Sequence, residues 1–336
     1  MVTDEMGQKS PVLQGGDQDI TLRPTSWDEY VGQEKIKQNV RLIVEAAKQR
    51  GEACDHLLFY GQAGLGKTTL AYLIGREAGV HVRSTTGPSL ERVGDVAAIL
   101  SNIEPHEILF IDEIHRINRA AEEVFYPALE SRKLHLVVGK GPSAKTLSID
   151  LPPFTVIGAT TKANMLSSPL RSRFGATFRL DFYSLFDIEA IIRRSAGLLG
   201  VEIHDGGAEL LARASRFTPR TANRLLRRAR DFAQVHGEGV ITEDVAHETL
   251  QMLDIDKLGL EEIDRELLRV IIKKFRGGPV GLGALSAALS EEQGTIEDVY
   301  EPYLMSLGLL NRTSMGRVVT PEAYEYLEIQ GPDSLL

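Results

Sequence analysis

Apolar and polar positions fall into blocks along the first half of the chain, and block length separates strands from helices. Short runs at 56–60, 81–86, 107–112 and 154–159 are too short for helices and read as strands, all but 81–86 apolar-rich. Longer stretches between them carry helical periodicity: 33–49, with Val40, Ile43, Val44 and Ala47 in phase, then 67–78, 89–103 and 119–131. This alternation predicts an α/β fold built on a doubly wound parallel sheet, with ligands outside the carboxyl ends of its strands. After Tyr183 the strand signals stop, and 184–254 reads as helices broken at Gly197–Gly200, Thr218–Pro219 and Gly237–Gly239. Thr242 followed by Asp244 has the composition of a helix start. From about 256 to 330 come three short helical patterns and two short β-type runs around Thr313–Gly316, the order of a winged helix-turn-helix. The expected layout is a short arm (1–19), a large α/β domain (20–182), a small helical lid (183–254) and a winged-helix domain with a short tail (255–336).

Composition narrows the class of protein. A chain of 336 residues exceeds what one core of about 250–300 residues usually holds, in keeping with several domains. The formal net charge of -9 means that any nucleic-acid contact must be local, because no general basic surface exists. Cys54 is the single cysteine, which excludes an intrachain disulfide and fits a reducing compartment. No apolar run approaches ~18 residues, so no membrane span is expected. The first twenty residues are polar and acid-containing, unlike a secretory leader, and read as a disordered arm of a cytoplasmic protein.

Candidate chemistry begins at HLLFYGQAGLGKTTLAYLIG. Gly61, Gly66, Lys67 and Thr68 have the G-x-x-x-x-G-K-[ST] spacing between a strand and a helix. A loop poor in side chains frees backbone N–H groups for phosphate oxygens; Lys67 would reach the β- and γ-phosphates, and Thr68 would ligate Mg²⁺. ILFIDE ends an apolar strand in two acids: Asp112 would hold the metal and Glu113 would orient or deprotonate a water. In GATTK the γ-phosphate sensor is Thr161 in preference to Thr160. SPLRSRFG offers Arg171 and Arg173, either of which could serve phosphoryl transfer from a neighbouring subunit or form a surface ion pair. In TPRTANRLLRRAR, Arg220 could fold back onto nucleotide, whereas Arg224, Arg227 and Arg228 read mainly as a solvated basic face.

In this order and spacing these motifs resemble the AAA+ ATPases. Further strings, LRPTSWDEYVGQEKIKQNV, DEIHRIN, GKGPSAKTLSIDLPPFTVIGATT, GGPVGL and TIEDVYEPYLMSLGLLNRTSMGRVVT, resemble the RuvB family of Holliday-junction branch-migration motors over about residues 20–330. The resemblance implies ATP with Mg²⁺ and a cleft that includes Leu22, Arg23, Gly64, Thr69 and Tyr183. It also implies Arg173 as arginine finger on a neighbour's nucleotide and Arg220 as second sensor. Glu130, Ser131 and Arg132 occupy a nucleotide-contact position of the family, although the family more often has Glu-Asp-Tyr there. Family members form hexameric rings on duplex DNA and act at four-way junctions with RuvA, and with RuvC in a resolvasome. The hairpin at about 134–149, turning at Gly139–Gly141, would dock RuvA through Leu147 and Ile149. Arg312 and Arg317 match DNA contacts of the wing, whose middle arginine is replaced by Met315; Gln293 replaces a basic residue. Two other functions share the ATPase core: a clamp-loader-type ATPase, and a nucleotide-gated DNA-binding switch without translocation.

Overall fold

The computed structural model describes residues 21–138 and 145–331, so the expected arm, the hairpin turn at Gly139–Gly141 and the end of the tail lie outside the described residues. Five strands form one parallel sheet: β1 (Leu57–Tyr60), β2 (Val82–Thr86), β3 (Ile108–Asp112), β6 (Thr155–Thr160) and β7 (Ala176–Arg179), in the order β2-β3-β6-β1-β7. Strands β4 (Lys133–Val138) and β5 (Lys145–Asp150) make the antiparallel hairpin, with Leu136 opposite Leu147 and Leu134 opposite Ile149. Helices α1 (Glu34–Arg50), α2 (Lys67–Ala78), α3 (Val93–Ser101), α4 (Arg119–Ser131) and the short α5 (Ser168–Arg171) complete the unit.

Side chains of the central strands alternate between two cores. Leu57, Phe59, Ile108 and Phe110 join one, while Leu58, Leu109, Ile111 and Val156 join the other. Burial on both faces is why these strands read as continuous apolar runs. The first core continues into the lid, formed by α6 (Leu185–Leu199), α7 (Asp205–Arg213), α8 (Pro219–His236) and α9 (Glu243–Met252), through Ile188, Leu211 and Leu225. A third core holds the winged-helix unit: α10 (Glu262–Phe275), α11 (Leu282–Leu289), a helical stretch over 293–306, and the hairpin of β10 (Leu310–Thr313) with β11 (Gly316–Val319).

Three expectations need correction. Residues 90–92 are not helical: a 3-10 turn covers Gly87–Ser89, and α3 starts only after Arg92, whose backbone N–H donates to Asp95 in a capping box. β7 was not legible because its sequence, ATFR, is a short edge strand with alternate residues exposed. Strands also reappear after Tyr183, as the two-residue parallel pair β8 (Glu202–Ile203) and β9 (Val240–Ile241), too short to leave a period-2 pattern.

The winged-helix unit is tied to both other units. Arg216 Nη2 meets the fully buried Asp264 at 2.5 Å, and Arg224 meets Glu261 at 2.9 Å, both from the lid side. Lys162, immediately after the end of β6, bonds Asp298 at 2.6 Å.

Candidate nucleotide site

β3, β6 and β1 are neighbours in the sheet, so three carboxyl ends open onto one cleft, which the lid covers. From β1 comes the loop 61–66, in which Gly61, Gly64 and Gly66 have φ of 145, 82 and 94°. A Cβ on Gly61 would sit 2.4 Å from the Leu180 carbonyl oxygen, so this close approach requires glycine. Lys67 at the start of α2 is 8% exposed, and its Nζ donates to the carbonyls of Gly61 and Gln62, both at 2.8 Å. Burial pulls its ammonium down to about 8, with Asp112 opposing and Arg220 reinforcing the shift. Gly64, Gly66, Thr68 and Thr69 line the cleft beside it. Gly61 itself contributes its carbonyl to Lys67 rather than a cleft surface.

Asp112 and Glu113 reach the cleft from β3. Asp112 Oδ1 accepts the Glu113 backbone N–H at 2.9 Å, and the half-exposed Glu113 carboxylate pairs with Arg116 at 2.9 Å. At the end of β6 the two threonines separate. Thr160 is buried, with Oγ1 2.8 Å from His115 Nδ1 and accepting the Lys162 N–H, whereas Thr161 lines the cleft. A hydroxyl from Thr68 and a carboxylate from Asp112 in one cleft suit a hard, oxygen-seeking cation that keeps waters and phosphate oxygens as further ligands. Among the described residues no cluster of three or more His, Cys, Asp or Glu offers an all-protein metal cage.

The far end of the cleft is closed by the strap 22–31. Leu22 is buried, and its carbonyl accepts from Arg194 of α6 at 3.0 Å; the same guanidinium meets Glu29 at 3.0 Å. Backbone bonding from Thr25 and the Arg194 pair hold Glu29 below the usual carboxylate range. Arg23 lies over the Tyr72 ring at 5.8 Å. Tyr183 Oη is 3.1 Å from both Tyr30 Oη and the Leu65 carbonyl oxygen, which ties strap, phosphate loop and lid together. Burial pushes Tyr183 up to about 12 and Tyr30 well above its ordinary value, so both phenols stay neutral near pH 7. From α8, Arg220 lines the cleft and its backbone N–H donates to Gly64 O at 3.4 Å. Asn223 Oδ1, also on the cleft, is buried without a hydrogen-bond partner. A buried cation and a glycine cradle together fit the phosphates of a nucleotide, and the unpartnered Asn223 acceptor is open to a donor from its base or sugar. Tyr30, Arg194 and Asn223 carry no sequence assignment: Tyr30 and Asn223 lie inside the strings LRPTSWDEYVGQEKIKQNV and TPRTANRLLRRAR without a distinguishing spacing, Arg194 lies in neither, and packing of strap and lid brings the three to the cleft.

Four expected nucleotide residues lie elsewhere. Arg173, Glu130, Ser131 and Arg132 do not line this cleft. Arg173 pairs with Glu130 at 2.9 Å, Ser131 Oγ donates to the Pro127 carbonyl at 2.9 Å, and Arg132 ends α4 with φ of 55°. The wing also separates its two arginines. Arg312 is half-exposed and bonds Glu297 at 2.5 Å, whereas Arg317 is buried, donating through Nε and Nη2 to Glu301 at 2.6 and 3.1 Å. In this conformation Arg317 is therefore not presented as a free phosphate contact, because its guanidinium is buried and paired with a buried carboxylate. Met315 stands 77% exposed at the wing's turn. On the hairpin Leu147 is half-exposed, whereas Ile149 packs against the second core and offers less surface than expected.

Family models match almost end to end: the Holliday junction DNA helicase RuvB P-loop domain over 22–180, the RuvB AAA lid domain over 183–256 and the RuvB C-terminal winged helix domain over 257–328. The chain is 57% identical over 311 residues to the Holliday junction branch migration complex subunit RuvB of Dehalococcoides mccartyi, covering 93% of this chain and 89% of that one. It superposes on the Thermotoga maritima RuvB Holliday junction branch migration motor with a TM-score of 0.86 and 48% identity, over 93% of this chain and 100% of that one.

Proposed function

Because the chain belongs to the RuvB family of Holliday junction branch migration motors, we propose that it assembles as a hexameric ring on duplex DNA and completes each ATP site with its neighbour's Arg173. The observation that carries this reading is the separation of Arg173 from the chain's own cleft: the motif arginine pairs with Glu130 and does not line the cleft that Lys67, Asp112 and Thr161 line. A site that lacks its transition-state cation is completed from outside, as in other phosphoryl-transfer enzymes whose arginine comes in trans.

Within a subunit, Lys67 and the loop N–H groups hold the β- and γ-phosphates, joined by Gly64 and Thr69, while Arg220 contacts the phosphates from the lid. Leu22, Arg23 and Tyr183 bound the base side. Thr68 and Asp112 would hold Mg²⁺, which would supply neutralisation of phosphate charge. Glu113 orients the attacking water and Thr161 senses the γ-phosphate. The lid contacts both nucleotide and strap, so hydrolysis changes the lid's seat and, through Arg216 and Arg224, the DNA-binding unit. Arg312 contacts DNA phosphates, and Arg317 supports the wing by neutralising Glu301. RuvA docks on the hairpin through Leu147, and RuvC joins the same assembly. No described helix is long and apolar enough to cross a membrane, and a DNA-acting motor of this kind works in the cytoplasm.

The test is a synthetic four-way junction with ATP and Mg²⁺, with and without RuvA. Strand exchange that needs both supports the motor. ATP-dependent DNA binding without exchange would instead indicate a nucleotide-gated switch, and ATP hydrolysis stimulated by a sliding clamp would indicate a clamp loader; the winged-helix unit disfavours the latter.

Three further outcomes are expected. The phosphates favour the charged form of Lys67 and raise its pKa from about 8, so ATP binding takes up a proton above pH 8 and weakens as pH rises further. Calorimetry in buffers of different ionisation enthalpy reads both effects. In the wing, Arg312→Ala lowers the salt slope of duplex binding by about 0.9, the value of one phosphate contact. Arg317→Ala leaves Glu301 buried and unpaired, and destabilises the winged-helix unit by about 3–5 kcal/mol. Salt titrations and thermal unfolding separate the two.

A further inference from the structure

Glu122, Tyr126 and Glu130 follow one another at intervals of four on α4, and so lie on one face of that helix. Arg173 rests on this face. Its guanidinium carbon stands 4.7 Å from the Tyr126 ring centroid, Nη2 donates to Glu130 at 2.9 Å, and Nη1 donates to the Pro169 carbonyl at 2.7 Å. Nε is buried and has no hydrogen-bond partner. The platform is itself fixed: Tyr126 Oη donates to Glu122 at 2.6 Å, and Ser167 Oγ donates to the same carboxylate. Ser167 is also the N-cap of α5, accepting from Leu170 N–H at 3.1 Å, and Arg173 follows directly on that helix. One carboxylate on α4, 9% exposed, therefore joins the aromatic ring to the segment that carries the arginine.

We propose that Tyr126 is a positioning residue for phosphoryl transfer: its ring, anchored by Glu122, holds the Arg173 guanidinium in the attitude from which it meets a triphosphate, while Glu130 acts as the carboxylate that phosphate oxygens displace. The inference rests on the reading of Arg173 as the arginine finger. The chemistry follows from the guanidinium. A flexible arginine loses rotamer freedom each time it engages, and a face-on aromatic contact limits that freedom beforehand without using its donors. The single ion pair to Glu130, whose side chain is 67% exposed, is weak enough to exchange for phosphate. Nothing in this arrangement touches the chain's own cleft, so the effect appears in turnover and not in nucleotide affinity.

The test is ATP turnover by the full-length protein carrying Tyr126→Leu, Tyr126→Phe, Arg173→Ala and the Tyr126→Leu/Arg173→Ala pair. Tyr126→Leu is expected to lower kcat about 10-fold, within the range for a desolvated cation–aromatic contact, with KM for ATP unchanged. Tyr126→Phe keeps the ring and retains most of kcat. In the Arg173→Ala background the leucine substitution has no further effect, because Tyr126 acts only through that arginine. A folded Tyr126→Leu protein with wild-type kcat, a raised KM in its place, or an additive loss in the double variant overturns the inference while leaving the finger reading intact. Normal turnover of Arg173→Ala overturns the finger reading, and the inference with it.

Discussion

Arg173→Ala is expected to reduce ATP turnover by about 10³–10⁵-fold, the usual contribution of an arginine finger, while ATP still binds with near wild-type affinity. The expectation follows from placement. Arg173 is held by Glu130, Pro169 and Tyr126 on a surface apart from the cleft, so its removal leaves Lys67, Thr68, Asp112 and Arg220 of the same subunit undisturbed. Its charge matters only when negative charge develops on the transferring phosphoryl group of a neighbour, a transition-state interaction that affects kcat and not ground-state binding. Fluorescent-nucleotide titration and a coupled turnover assay measure the two quantities. Unchanged turnover would falsify the assignment; a parallel loss of affinity would place Arg173 in its own subunit's site.

Lys67→Ala removes the buried cation of the phosphate loop and is expected to abolish branch migration. Losing one preorganised, desolvated donor typically costs about 10²–10³ in rate, and under the proposed role of Lys67 affinity falls as well, because its ammonium would contact bound phosphates in the ground state. Lys67→Arg is not a rescue. The ammonium is held between two carbonyl oxygens at 2.8 Å in a space fitted to a point charge, and a planar guanidinium has a different reach and donor geometry. The fold should not suffer. Lys67 titrates near 8 in the folded chain and near 10.5 when free, so stability rises with pH between those values and the charged lysine destabilises the fold below them. Lys67→Ala therefore keeps or raises Tm at pH 7 while activity disappears. A lowered Tm would mean that Lys67 supports the loop structurally, and loss of activity would then say nothing of catalysis.

What was legible along the chain follows from locality. The phosphate loop, the ends of β3 and β6 and the start of α8 are each a few residues long, and their chemistry depends on spacings fixed by the backbone. The central strands were legible because both their faces are buried, which leaves an unbroken apolar run. β7 and the β8–β9 pair were not, since an edge strand and a two-residue bridge carry no such signature. Arg312 and Arg317 look equivalent in sequence, yet they face each other across β10 and β11 with different partners. Position along the chain says nothing about which of two arginines meets a buried glutamate.

The sequence by itself determined that a nucleotide is bound and that an acidic strand, a lid and a winged-helix unit follow the phosphate loop, because each depends on residues adjacent in the chain. Only the tertiary structure decided which residues share a cleft. It brought Tyr30, Arg194 and Asn223 into the nucleotide site from separate elements, and it placed Arg173 on the Glu122–Tyr126–Glu130 face of α4, outside that site. The physical reason is that packing two apolar faces of one sheet and one lid fixes the relative position of segments far apart in sequence, and no local pattern encodes such distances.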